Sequence, residues 1–380
     1  TLMAVLLLLT VVGTVYPKED TRDQELPQLV QDILDRLPGP LQNALSRDTQ
    51  GFRSEELGAD TSEVLDLTTQ GTRERKDTVM LHVSSTEAGI LYLRGAAKDI
   101  YTGSRWESRG EAGYADSVYA HTSLGAAFGD SYQAAVQVDN LRDNADVAFI
   151  PYGFINCDGA GEIENDLRVP CYQSDYISYF WPGVGSLDLR TPVYPNPSYD
   201  QYVYETCLQL PEDPRAELYE LALSYGYDPA LDTLDTIAWV TEFIRTIASY
   251  QLNVARQPAN FDFAVYFLEE SRKGYCVHFA TATAVMLRVL EVPSRYASGY
   301  RATIDAPGAV TEITDMDTHA WAEAYIGGLG WIPIEATPGF GSSVSLPEIR
   351  HESQPQEPED NPVSSVLQLG SDTGRGIRSF

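Results

Sequence analysis

The chain has 380 residues, 43% of them hydrophobic, with 23 tyrosines and 12 phenylalanines. This is a globular composition, long enough for two or three domains and unlike that of a disordered chain. The formal charge of −29 repels phosphate backbones and no basic cluster reverses it, so nucleic acid is excluded as a partner.

Residues 1–16, TLMAVLLLLTVVGTVY, form an apolar run closed by Pro17. At about 1.5 Å per residue it reaches about 24 Å, short of the ~30 Å hydrocarbon core. A signal peptide opens with Met and a basic stretch, whereas this run opens with Thr. The expectation is the end of a transmembrane helix, ahead of a signal-peptide core or a buried helix. The bulk of the chain is then expected outside the cytoplasm, in keeping with its acidity.

Residues 17–75 read as a polar lead-in with one short amphipathic helix at LPQLVQDILDRL. Residues 76–209 change texture to short runs punctuated by Gly, Pro, Asn and Asp: VMLHVSS, ILYLRGA, YQAAVQV, ADVAFIPYG, YISYFWPG and QYVYETCL. They predict a β-rich domain, with a sandwich as one form of it. Residues 210–340 turn helical. DPRAELYELALSYG offers Asp213 as N-cap, Pro214 at the first helical position and Gly226 near the end. LDTIAWVTEFIRTIASYQLN spaces Ile237, Val240, Ile244 and Ile247 as a helix does. KGYCVHFATATAVMLRVL starts a helix at Cys276, with Phe279, Thr283, Met286, Leu287 and Leu290 on one side. The strands PSRYASGYRAT, THAWAEAYI and LGWIPIEAT follow, so this region is an α+β domain. Residues 341–380 are polar and Pro-punctuated, the composition of a disordered linker.

A thiol at a helix N-terminus feels free N–H groups and the helix dipole, which lower its pKa. Acyl transfer needs two more groups: an imidazole to carry the proton and a carboxylate to hold the ring. His278 is two residues after Cys276 and so faces another way on a helix. His319 is better placed. A three-residue loop, Ile326-Gly327-Gly328, pairs His319 with Glu335 and Trp321 with Pro333. His319, Trp321, Glu323, Tyr325, Trp331 and Glu335 then share one face, and Ala320, Ala322 and Ala324 point the other way. A one-residue slip in register breaks this arrangement. Backbone N–H groups around Cys276 are suited to stabilising an oxyanion.

The blocks GYCVHFATATAVMLRVLEVPSRYASGY, THAWAEAYI and GWIPIEATPG, in that order, resemble the bacterial transglutaminase-like superfamily. The upstream LYLRGAAKDIYTGSRW is similar to a segment that precedes this domain in membrane-anchored bacterial members. The resemblance implies a papain-like core, a Cys-His-Asp triad and an extracytoplasmic catalytic domain acting on protein or peptide amides. It carries over to Cys276 as nucleophile, His319 as general base and Glu335 at the position of the Asp. Glu in place of Asp is a departure. Its extra methylene moves the geometry by roughly an ångström, which matters in a tightly held site.

Three functions follow from this reading. The first is a thiol acyltransferase, the second a cysteine peptidase or amidase, and the third a non-catalytic scaffold that binds peptide or cell-wall material. Tyr275, Trp321 and Trp331 are weaker expectations for the substrate cleft. Glu323 is expected to form a salt link, and Asp315 and Asp317 to be solvated loop carboxylates. Cys157 and Cys171 are spaced to pair across a loop outside the cell. No Cys/His cluster has zinc spacing, no loop matches an EF-hand and no glycine loop cradles phosphate, so no cofactor is expected.

Overall fold

A computed structural model describes residues 58–341 and 346, apart from 110–127, 129–131, 143–145, 162–166, 191–194 and 259. The expected apolar span, the helix at LPQLVQDILDRL and nearly all of the expected linker lie outside the described residues. No helix among the described residues is long and apolar enough to cross a membrane.

The strands begin with β1 (Val64–Asp66), β2 (Val79–Ser85), β3 (Gly89–Lys98), β4 (Ile100–Tyr101), β5 (Arg105–Glu107), β6 (Ala134–Asn140), β7 (Phe154–Cys157) and β8 (Asp175–Phe180). Helices α1 (Pro197–Thr206), α2 (Glu212–Ser224) and α3 (Thr233–Ile247) follow, then β9 (Ser249–Tyr250), β10 (Lys273–Gly274) and α4 (Cys276–Val289). Last come β11 (Ser294–Ile304), β12 (Val310–Thr314), β13 (Thr318–Ile326) and β14 (Gly330–Ile334).

Two antiparallel sheets organise the described residues. One has the order β12-β2-β6-β8-β7 and the other β14-β13-β11-β3. Strands cross between the two stretches of sequence. β3, from the upstream stretch, edges the sheet of β11, and β12, from downstream, extends the sheet of β2. Alternating apolar residues drive this. Leu81 and Val83 of β2, Val136 and Val138 of β6, and Tyr300, Ala302 and Ile304 of β11 are buried in one cluster.

The long β11 does not run evenly along β3. Its register shifts between Ser298 and Gly299, and Gly299 is the residue paired with His319 on β13. A Cβ at Gly299 would lie 2.0 Å from the Leu93 carbonyl oxygen, so the close approach admits only glycine.

Several elements differ from the sequence expectation. QYVYETCL reads as a strand by its aromatic and β-branched content, but it lies mostly in α1. Asn196 caps that helix, accepting from Tyr199 N at 3.1 Å, and Pro197 starts it. Tyr199 and Val203, four apart, then face Tyr325 and Trp331. ADVAFIPYG holds isolated bridges rather than a strand. α2 starts at Glu212, so Pro211 rather than Asp213 is the N-cap, and Pro214 still falls in the first turn, where a missing N–H costs nothing. α4 is buried on all sides rather than along one stripe. Elements enclose it from every direction: Ser294 Oγ of β11 donates to Ala284 O at 2.6 Å, and Trp106 Nε1 donates to Thr281 Oγ1 at 3.0 Å. All four cysteines are free, so the pairing left open for Cys157 and Cys171 is not formed. Their sulfurs instead reach the carbonyl oxygens of Asp158 and Gln173.

Candidate active site

Cys276 opens α4 because Tyr275 holds the N-cap position in extended conformation (φ −121°, ψ −175°). His278, two residues on, accepts from Tyr275 N through Nδ1 at 3.4 Å, closing the first turn. Its ring packs against Phe263, Phe267 and Tyr275, and a Cβ at Gly274 would lie 2.5 Å from it. Burial pushes the His278 imidazole down to about 4, so it stays neutral and acts as a cap.

β13 and β14 carry the other two groups. The loop closing them is Gly327–Leu329, one residue later than expected, and the ladder runs from Ile326↔Gly330 to Ala322↔Ile334. His319 is therefore not directly opposite Glu335, and Trp321 is not opposite Pro333. The whole register has moved by two positions, which preserves the side-chain faces. Glu335 lies just past the last pair on the His319 face, and its longer side chain spans the diagonal.

The three groups meet. The His319 ring adjoins the Cys276 thiol closely enough for each to shift the other's ionisation. His319 Nε2 lies 2.5 Å from Glu335 Oε2, which leaves Nδ1 as the ring nitrogen not engaged by the carboxylate. Glu335 Oε2 also accepts from Tyr92 OH at 2.7 Å, and Oε1 accepts from Thr337 N at 2.7 Å. Cys276, His319 and Glu335 are 1%, 4% and 2% exposed, respectively, so their charges act in a low dielectric.

Electrostatics tune the set. Burial opposes ionisation of Cys276, but the His319 hydrogen bond and charge, with Arg73 and Arg75, bring it down to about 7. Burial likewise opposes the imidazolium, yet the Glu335 carboxylate and the Cys276 partner raise His319 to about 9. Glu335 loses solvation by burial, and His319 nevertheless holds it below the usual carboxylate range. The arrangement favours a thiolate–imidazolium pair oriented by a carboxylate.

Two segments remote in sequence surround the set. Phe340 stacks on the His319 ring at 4.4 Å, 19° between planes. Arg245 anchors the backbone beneath it, donating to Glu335 O at 2.6 Å and Phe340 O at 3.4 Å. On the other side runs 70–78. Arg73 Nη2 donates to Thr318 Oγ1 at 2.9 Å, and Arg75 donates to Met316 O at 2.8 Å and Tyr250 OH at 3.4 Å. The residues Tyr92, Arg73, Arg75 and Phe340 were not anticipated as site residues. Tyr92 does lie in LYLRGAAKDIYTGSRW, one of the segments that carry the family resemblance, but nothing local marks the others.

The weaker expectations divide. Tyr275 adjoins the thiol and donates through its OH to Gln70 Oε1 at 3.0 Å. Trp321 lies beside the imidazole, T-shaped to Tyr92 at 5.0 Å, with Nε1 donating to Tyr152 OH at 2.7 Å. Trp331 is placed elsewhere, among Tyr199, Val203 and Tyr325 with Arg295 over its ring at 3.8 Å. Glu323 accepts from Arg295 Nε at 2.8 Å and Tyr152 OH at 2.5 Å. Asp315 accepts from the backbone of Lys76 and Thr78 and is buried rather than solvated, and Asp317 accepts from Thr314 N.

A helix that presents cysteine against an antiparallel sheet bearing histidine and a carboxylate is the papain-like arrangement of the transglutaminase-like fold. The model of the Transglutaminase-like superfamily matches residues 223–336, and this part of the chain belongs to that superfamily. The fold is similar to the crystal structure of the periplasmic domain of TgpA from Pseudomonas aeruginosa. That likeness has TM-score 0.53 at 20% identity, over 72% of this chain and 93% of that one. In sequence, 189 residues are 28% identical to the uncharacterized protein YebA of Bacillus subtilis, covering 48% of this chain and 25% of YebA. A further 72-residue match, 33% identical, is to a protein-glutamine gamma-glutamyltransferase of Pseudomonas aeruginosa, over 19% of this chain and 11% of that protein. The chain thus aligns with a quarter or less of the length of either relative.

Proposed function

We propose that the protein is a cysteine-dependent acyl-transfer enzyme acting on protein or peptide amides. The observation that carries this reading is the buried set of Cys276, His319 and Glu335, in which Glu335 holds the His319 ring and His319 lowers the pKa of the thiol. The Cys276 thiolate attacks the amide carbonyl carbon, and the oxyanion is held by backbone N–H groups at the start of α4. The C–N bond breaks as the His319 imidazolium gives its proton to the leaving ammonia or amine, leaving a thioester on Cys276. An incoming amine or water then attacks the thioester carbonyl carbon as His319 takes its proton; the new C–N or C–O bond forms, the C–S bond breaks and the thiolate returns. Glu335 keeps the ring oriented and offsets its charge throughout.

Transfer to an amine is favoured over hydrolysis because the Pseudomonas relative is a protein-glutamine gamma-glutamyltransferase, and because the three groups are sheltered from water. The periplasmic domain of similar fold supports an extracytoplasmic location, with the apolar run 1–16 as membrane anchor. The test measures incorporation of a fluorescent primary amine into a glutamine-rich protein beside peptide cleavage, with Cys276→Ala as control. Incorporation lost in the variant supports the transferase. Cleavage without incorporation makes the protein a peptidase, and a thiol that titrates like a free cysteine, near pH 8.5, leaves only a scaffold.

A further inference from the structure

The segment 70–78 brings two guanidinium groups to the thiol. Arg73 is fixed on Thr318, the residue before His319, and Arg75 on Met316 O and the hydroxyl of Tyr250. The segment itself is pinned: Arg73 N donates to Leu252 O at 3.1 Å, Thr72 Oγ1 to Asn253 Oδ1 at 2.7 Å, and Asp315 takes the amides of Lys76 and Thr78. No carboxylate among the described residues pairs with either arginine. The carboxylates close by in space or sequence are engaged or solvated, Asp315 on backbone amides, Glu335 on His319 and Tyr92, and Glu74 and Asp77 exposed to solvent. Among the donors left over, Arg75 Nε is buried and has no hydrogen-bond partner among the described residues.

Two half-buried cations held on neutral acceptors, with no carboxylate partner among the described residues, are unusual in a chain of net charge −29. Their cost in desolvation is recovered when an anion arrives. The arginine fork suits a carboxylate. We propose that Arg73 and Arg75 form an anion-binding rim beside Cys276 that selects acidic peptides, those carrying a carboxylate next to the reacting amide. The inference deepens the acyl-transfer reading and rests on it. The two arginines also contribute, after burial and His319, to the lowered pKa of the thiol.

Iodoacetate and iodoacetamide alkylate the same thiol and differ only in charge, so the ratio of their rates at Cys276 reads the local potential. The ratio is normalised to a cysteine-containing model peptide, and Cys276→Ala identifies the site. The net charge of the chain alone predicts a ratio below that of the peptide. The rim predicts a ratio about fivefold above it at low salt, the size of one unit-charge interaction a few ångströms away in water, and a decline as salt screens it. Arg73→Gln/Arg75→Gln brings the ratio down to the peptide value, and Arg73→Lys/Arg75→Lys retains most of it. A wild-type ratio at or below the peptide value overturns the proposal without recourse to any variant. So does a ratio unchanged in a folded double Gln variant. A thiol unreactive to both reagents instead removes the acyl-transfer reading, whereas a reactive thiol with no preference removes the rim alone. With peptides that differ only in Glu or Gln beside the reacting amide, the wild type prefers Glu in kcat/KM and the double Gln variant loses that preference.

Discussion

His319 and Glu335 meet through Nε2 and Oε2 at 2.5 Å, and both oxygens of the carboxylate are taken up: Oε2 also by Tyr92, Oε1 by Thr337 N. The carboxylate therefore has a fixed position, and with it the imidazole. Replacing Glu335 by Gln keeps the shape but removes the charge and offers the ring a donor. Turnover is expected to fall by about tenfold or more. An unchanged kcat in an amine-incorporation or cleavage assay removes Glu335 from the working set.

Tyr92→Phe deletes one hydrogen bond to a charged acceptor in a buried place. A loss of about 1–2 kcal/mol in transition-state stabilisation is expected, with the fold retained. Thermal unfolding and kcat/KM measured together check it. A large drop in stability with normal kcat/KM assigns Tyr92 to the fold rather than to the site.

The active ionic form needs Cys276 deprotonated and His319 protonated. The thiolate forms as pH rises through about 7, and the imidazolium is lost as pH rises through about 9. The profile of kcat/KM is accordingly a bell with its plateau between these values, and both limbs belong to the coupled pair. Alkylation of Cys276 by neutral iodoacetamide rises with a midpoint near 7. A single rise near 8.5, the value for an isolated thiol, contradicts the pair.

Glu323 is fully buried between Arg295, Arg94 and Tyr152. Burial opposes its charge, but Arg295 and Arg94 hold its carboxyl below the usual range. Glu323→Gln leaves Arg295 buried without its counter-charge, and stability is expected to drop by about 3–5 kcal/mol. In the wild type this contribution is present above the unfolded carboxylate pKa and is lost as pH falls through the lower folded one. Denaturant midpoints of both proteins between neutral and acid pH test the size and the sign.

Phe340 covers the face of the imidazole, and its own ring remains partly exposed. Phe340→Ala is expected to cost about 1–2 kcal/mol, less than the loss of a fully buried Phe, and to speed iodoacetamide alkylation of Cys276. An unaltered alkylation rate shows that reagents reach the thiol by another side.

Much of the site is legible in the order and spacing of its residues. Cys276 at a helix start follows from the helical pattern after it, and the shared face of His319 and Glu335 follows from the period of two in a strand. That period also explains why a loop misplaced by one residue, with a register displaced by two, leaves the faces correct. α1 reads as a strand because Tyr and Val favour strands on average. Only Tyr325 and Trp331, far along the chain, make a helical face the better burial for Tyr199 and Val203.

The sequence by itself determined which elements and faces carry Cys276, His319 and Glu335, because each lies in an element whose local periodicity aims its side chain. Tertiary structure alone decided what surrounds them. Arg73, Arg75 and Phe340 come from segments with no local signal of the site, and Tyr92 from a segment marked only by its family resemblance; strand crossing and backbone pinning bring them in. Their influence is electrostatic and steric, effects that depend on distance through space and leave no period in the chain.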